Sequence, residues 1–105
     1  IRIAKLTGDE SFSTFITIVD VGKHVNPHYH KHGIEHYHII EGTGKITLKQ
    51  ANLEEPESIQ CVKAGQSFVV NENTIHKLTN TGNTRLVLMF SCPITHLETD
   101  RFIAK

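Results

Sequence analysis

Tryptophan is absent, proline occurs three times and cysteine only twice in 105 residues. Cys61 and Cys92 lie far apart with no Cys-x-x-Cys spacing, so no disulfide framework is available, and two buried thiols in a reducing, cytoplasmic compartment are the expectation. An excess of either charge is missing too: eleven Lys+Arg balance eleven Asp+Glu. Without a basic surplus the counterion-release term that drives phosphate-backbone binding is weak, which argues against nucleic acid as a partner. Long apolar runs are lacking. Leu86–Phe90 is the longest, far below the roughly 20 residues of a membrane-spanning helix, so a soluble chain is expected. There is no Gly-x-Ser-x-Gly elbow, phosphate-binding loop or His-Glu-x-x-His helix. The length suits one domain, residues 1–105, with a modest core from 38% apolar residues. The first residue is Ile1, from which a processed or truncated N-terminus is expected.

What is abundant is histidine. The chain has eight, six of them between His24 and His38. Imidazole titrates near neutrality and is the commonest metal ligand, so such a cluster marks a candidate site. Around it, short segments rich in Ile, Val, Thr and Phe predict strands at Ile1–Leu6, Phe12–Val21, Glu35–Ile40, Lys45–Gln50, Ser58–Lys63, Ser67–Val70, Ile75–Thr81 and Arg85–Ser91. Turn residues separate them: Gly8-Asp9, Gly42-Thr43-Gly44, Ala64-Gly65, Asn71-Glu72-Asn73 and Thr81-Gly82-Asn83. Many short strands at even spacing predict an all-β sandwich or barrel. Pro56 marks the polar stretch Asn52–Glu57 as a surface loop, and Ile94–Phe102 is expected to form a short C-terminal helix or a last edge segment.

His28 and His30 are two apart, so on an extended strand both rings project from one face. Glu35 follows across a bend containing Gly33, which lets the next strand return its carboxylate to the same point. His76 is the one later histidine on a predicted barrel strand and supplies a fourth donor. Three neutral nitrogens and one carboxylate oxygen suit a divalent transition metal, Mn, Fe, Ni, Zn or Cu, rather than Ca.

These residues resemble the first motif of the cupin superfamily, Gly-x5-His-x-His-x3-4-Glu-x6-Gly, at every fixed position: Gly22, His28, His30, Glu35 and Gly42. The second motif, Gly-x5-Pro-x-Gly-x2-His-x3-Asn, is met by Gly65, His76 and Asn80, while Asn71 and Asn73 replace its Pro and middle Gly. Asn tolerates the left-handed region better than most residues, so Asn73 is expected to keep the turn. The resemblance implies a double-stranded β-helix, or jelly roll, with one metal held in its mouth by His28, His30, Glu35 and His76, leaving positions open for water, substrate or O₂. It also implies a homodimer and a small-molecule ligand. The expected function is that of a small metal-dependent enzyme on a polar substrate, of dioxygenase, decarboxylase, isomerase or lyase type. A non-catalytic cupin acting as a sensor or store is the alternative, and would be expected to have a plugged mouth.

Two residues are candidates for catalysis: Glu35, as a ligand able to act as a base, and Tyr37, which shares its parity and could orient a ligand or donate a proton unless core packing claims its hydroxyl. His36 and His38 have the opposite parity and are expected to face outward. His24 and His32 are expected at the margins, and His96, beyond the barrel, in solvent. A structural zinc site would ordinarily draw on cysteine, and neither cysteine is near the cluster in the sequence. An inward Arg or Lys near the mouth would favour a dianion, and Arg85, at a strand start, can face either way.

Overall fold

Alternation of apolar and polar residues organises the chain into two five-stranded antiparallel sheets. In the computed structural model, which describes residues 1–51 and 53–104, the strands are β1 (Arg2–Gly8), β2 (Ser13–Val19), β3 (His28–Tyr29), β4 (Glu35–Glu41), β5 (Thr43–Gln50), β6 (Ser58–Lys63), β7 (Ser67–Val70), β8 (Thr74–Asn80), β9 (Leu86–Cys92) and β10 (Phe102–Ile103). One sheet runs β1-β2-β9-β4-β7 and the other β10-β3-β8-β5-β6. Between β9 and β10 a single 3₁₀ turn covers Ile94–Leu97, so the C-terminal segment contains both the short helix and the edge strand that were alternatives in the sequence.

The period is clearest in β2, where every second residue from Ser13 to Val19 is buried, and in β8, where His76, Leu78 and Asn80 point inward. Between the sheets Phe15, Val19, Ile46, Leu78, Leu86 and Leu88 belong to one apolar core. Burying each such side chain contributes about 1.5–3 kcal/mol, which is what holds the two layers together. Strand β9 is buried on both faces over Leu86–Leu88, which is why its apolar run Leu86–Phe90 does not alternate.

Some boundaries differ from the sequence reading. Thr43 and Gly44 are not part of a turn; they pair within β5, and only Gly42, at φ 89°, makes the corner. A Cβ on Gly44 would lie 2.6 Å from the Thr79 carbonyl oxygen, so the residue is needed for strand approach rather than for turning. Asn73 does take the left-handed conformation, φ 57°. Its amide donates to the His30 carbonyl at 2.7 Å, which ties this turn to the ligand strand. Of the expected loop at residues 52–57, Asn52 lies outside the described residues, and Leu53–Glu57 are exposed without regular structure. Cys61 is exposed on β6, contrary to the expectation of two buried thiols; only Cys92 is buried, and both are free.

Candidate metal centre

Register brings the first two ligand candidates together. In the β3–β8 pair His28 lies directly opposite His76, and their rings are 4.2 Å apart. His30 falls one residue past the end of β3 and still turns inward, its ring 5.0 Å from that of His28. Glu35 opens β4 in the other sheet, with Tyr37 and Ile39 inward of the same strand and His36 outward. All four candidates, His28, His30, Glu35 and His76, are therefore buried at one point between the sheets.

Each imidazole is oriented through Nδ1. That atom of His28 donates to the Asn26 carbonyl at 2.8 Å, that of His30 to the Asp100 carbonyl at 2.5 Å, and that of His76 to the Thr74 carbonyl at 2.9 Å. A carbonyl only accepts, so Nδ1 carries the proton and a neutral ring leaves its Nε2 lone pair bare. Burial pushes His28 down to about 3, helped by the neighbouring His76, and burial likewise lowers His30 despite Glu35 and the Asp100 carbonyl. Both rings are thereby kept in the neutral form that ligates metals.

The bare nitrogens face another acceptor. Glu35 Oε2 lies 3.3 Å from His30 Nε2, and Oε1 lies 3.4 Å from His76 Nε2. Both nitrogens are buried and have no hydrogen-bond partner among the described residues. An unpaired buried polar atom costs about 1–3 kcal/mol, and lone pairs facing lone pairs add repulsion. A divalent cation satisfies all of them at once. One ring nitrogen from each of His28, His30 and His76 lies within 4.8 Å of the others, so the three imidazoles fit such an ion, while Glu35 falls in a second group of that reach with His30 and His96.

His96 is the residue that sequence reasoning missed. Far from being solvated, it is fully buried; its Nδ1 meets Glu35 Oε2 at 2.9 Å and its Nε2 meets the His32 carbonyl at 2.6 Å. Against the His32 carbonyl Nε2 must donate, and against an ionised Glu35 Nδ1 donates too, so the ring is an imidazolium. Burial opposes that charge, but Glu35 and the His32 carbonyl outweigh it and raise the pKa. Burial also opposes ionisation of Glu35, but the adjoining imidazoles, among them the His96 ring that donates to Oε2, hold its carboxyl well below the usual range. The His96 ring stacks flat on His30, centroids 3.9 Å apart. With both nitrogens engaged it positions Glu35 and is not counted among the ligands. Nothing in the strand period could have found it; the one signal was that it is one of five histidines beyond the three the motifs require.

Tyr37 reaches the site, where its hydroxyl donates to Glu35 Oε1 at 2.9 Å while its ring stacks between Phe68 and Phe90. Burial raises its pKa well above the ordinary value, reinforced by the Glu35 charge, so it stays a neutral donor. Cys92, remote from the cluster in the sequence, lies beside it in space: burial, then the charge of Glu35, raises its thiol. His36 is exposed and His38 half-buried against Ser67, as parity predicts, and His24 and His32 are exposed. Arg85 faces away, paired with Glu41 on the surface at 2.8 Å.

Above the cluster is a cavity of about 440 Å³. Its walls come from both sheets, including Thr17, Leu78, Leu88 and Phe90, and exposed His24 and Arg101 also line it. That volume lies within the roughly 300–1,000 Å³ of small-molecule sites.

Comparison with known proteins bears on the fold and the family. The L-ectoine synthase of Mycolicibacterium gilvum is 28% identical over 97 residues, covering 92% of this chain and 70% of that one. An uncharacterized conserved protein with a double-stranded β-helix domain from Klebsiella pneumoniae superposes with a TM-score of 0.75 at 16% identity, covering 97% of this chain and 82% of its own. Oxalate oxidase in complex with glycolate superposes with a TM-score of 0.75 at 20% identity, over 88% of this chain and 50% of its own. The family model of the cupin domain matches residues 15–92, and the chain belongs to that family.

Proposed function

We propose that this cupin is a small metal-dependent enzyme that acts on a polar small molecule at the centre formed by His28, His30, Glu35 and His76. The observation that carries this reading is the convergence of bare, buried imidazole nitrogens on a carboxylate below an open cavity. A sensor or store with its mouth plugged by apolar side chains is disfavoured by that cavity. The names of the similar proteins, an ectoine synthase and an oxalate oxidase solved with glycolate, support a small polar substrate. The reaction is of the dioxygenase, decarboxylase, isomerase or lyase type.

A divalent transition metal in the site would supply Lewis acidity toward a bound carbonyl or carboxylate. The chain's own groups do the rest. Tyr37 and His96 grip opposite oxygens of Glu35, which fixes the plane of its carboxylate. In this reading Glu35, ionised in the site, is the candidate base, and Tyr37, which donates to the same carboxylate, the candidate proton donor. The walls shed water from the substrate's apolar part.

Elemental analysis of protein purified from its native host, with oxygen uptake measured over a panel of substrates, tests the proposal. One equivalent of a transition metal is expected, lost on His30→Ala or His76→Ala, while Glu35→Gln should retain the fold and lose turnover. A wild-type chain that keeps no metal after reloading and gel filtration overturns it. A homodimer is supported by β1, an exposed edge strand carrying Ile3 and Leu6, with Ile1 just before it, each more than half exposed. Two free thiols fit the cytoplasm.

A further inference from the structure

The chain has three arginines. Arg2 pairs with Asp20 at 3.3 Å and Arg85 with Glu41 at 2.8 Å. Arg101 has no ion-pair partner among the described residues, yet it is the one that lines the cavity. Its backbone is held on both sides. Asp100 accepts the Lys31 and His32 amides at 2.7 and 2.9 Å, and Phe102 pairs with Tyr29 of the ligand strand. The guanidinium is thus delivered to the cavity by a pinned segment and not by a free tail.

Glu35 is the one carboxylate among the described lining residues, and Tyr37 and His96 already engage both of its oxygens. No acidic side chain of the cavity is therefore available to Arg101. Arg101 shares the cavity lining with His28 and Tyr37. A planar guanidinium with five donors matches a carboxylate in a two-point grip that a lysine or a neutral amide cannot reproduce. The same lining includes the apolar side chains of Val25, Leu78, Leu88 and Phe90.

We propose that Arg101 is a specificity residue and that the site takes a small organic carboxylate, its acid group on Arg101 and its apolar body along the cavity wall toward the ligand cluster. This rests on the metal-centre reading for the far end of the substrate but not for the Arg101 contact. The probes are hexanoate and its neutral counterpart hexanamide, titrated into zinc-loaded wild type, Arg101→Gln and Arg101→Lys, with binding read by calorimetry and ligand-observed NMR and zinc content measured in each sample. Hexanoate is expected to bind wild type about 10–100-fold more tightly than hexanamide, the range expected of a charge-assisted hydrogen bond. Arg101→Gln should abolish that preference with zinc content unchanged, and Arg101→Lys should keep part of it. Equal binding of acid and amide by wild type, no binding of the acid, or an undiminished preference in Arg101→Gln overturns the proposal. The same titration of the metal-free chain separates the two readings. Retention of no zinc with an intact Arg101-dependent preference supports the carboxylate subsite while removing the metal centre beneath it.

Discussion

The two halves of the centre are held in different ways. His28 and His76 face each other across β3 and β8, and each ring donates to a carbonyl two residues earlier in the chain. His30 and Glu35 take their support from the C-terminal segment: the Asp100 carbonyl 70 positions from His30, and the His96 ring 61 positions from Glu35. The first half is a property of local strand geometry. The second is assembled only when the chain has closed, and it should be correspondingly easier to disrupt from a distance.

The largest effect expected from that difference comes from His96. Replacing it with leucine keeps the volume roughly constant but leaves Glu35 Oε2 and the His32 carbonyl without a donor in the interior. Breaking a buried charge pair from one side typically costs about 3–5 kcal/mol. Chemical denaturation of metal-free His96→Leu should show a loss of that order. Zinc affinity should fall by about 10–100-fold, as for other groups that orient a ligand. Nitrogen NMR of the rings should show His30 disturbed and His28 in its original tautomer. Equal disturbance of both would erase the distinction between the halves.

That contrast also explains what could be read from the chain. The barrel was legible because period-2 alternation and turn residues act locally, and His28, Glu35 and His76 were legible because parity alone puts them inside. The segment after Pro93 has no such period. His96 and Arg101 owe their positions to Asp100, which captures the Lys31 and His32 amides, and to the pairing of Phe102 with Tyr29. The contacts of Asp100 span 69 and 68 residues of chain, so no short window of sequence contains them. Gly33 shows the same thing from the other side: a Cβ there would lie 2.8 Å from the Pro93 ring, so the bend between ligands is also a docking point for the C-terminal segment.

A smaller effect, opposite in origin, is expected on acidification of the metal-free protein. In the unfolded chain His28 takes up a proton near pH 6.5, whereas in the fold burial and His76 hold it off until about 3. Because its folded pKa is depressed, stability is complete above about 6.5, falls through the window down to about 3, and changes no further below it. The slope from this group is at most about 1.4 kcal/mol per pH unit. Asp100, in the remotely held half, adds nothing to that slope. Burial opposes its ionisation, but the Lys31 and His32 amides hold its carboxyl below the ordinary value near 3.8. Its contribution is therefore present above that value and lost only as pH falls through the lower one. Denaturant midpoints between about pH 7.5 and about pH 4.5 should decline in wild type and decline less in His28→Gln, with Asp100→Asn keeping the wild-type slope. A steeper change in Asp100→Asn would mean that the C-terminal segment, and not the local pair, controls the acid response.

The smallest effect belongs to His36, which sits between Glu35 and Tyr37 and differs from them only in parity. Glu35 and Tyr37 are buried at the centre, while His36 is exposed on the opposite face of β4 and pairs across to Ser91 and Val69 through its backbone alone. Its side chain meets neither the ligands nor the C-terminal segment, so it belongs to neither half of the centre. His36→Ala should leave zinc stoichiometry unchanged and alter stability by less than about 0.5 kcal/mol, the range of an uninvolved surface substitution. Both can be read on His36→Ala with the measurements used for His96→Leu, elemental analysis and denaturation. A loss of zinc from His36→Ala would require β4 to pair one residue out of register, a slip that would turn Glu35 to the surface and bring His36 and His38 to the histidine cluster. The test is therefore a measurement of strand register made through metal content, and it is informative because the expected answer is no change.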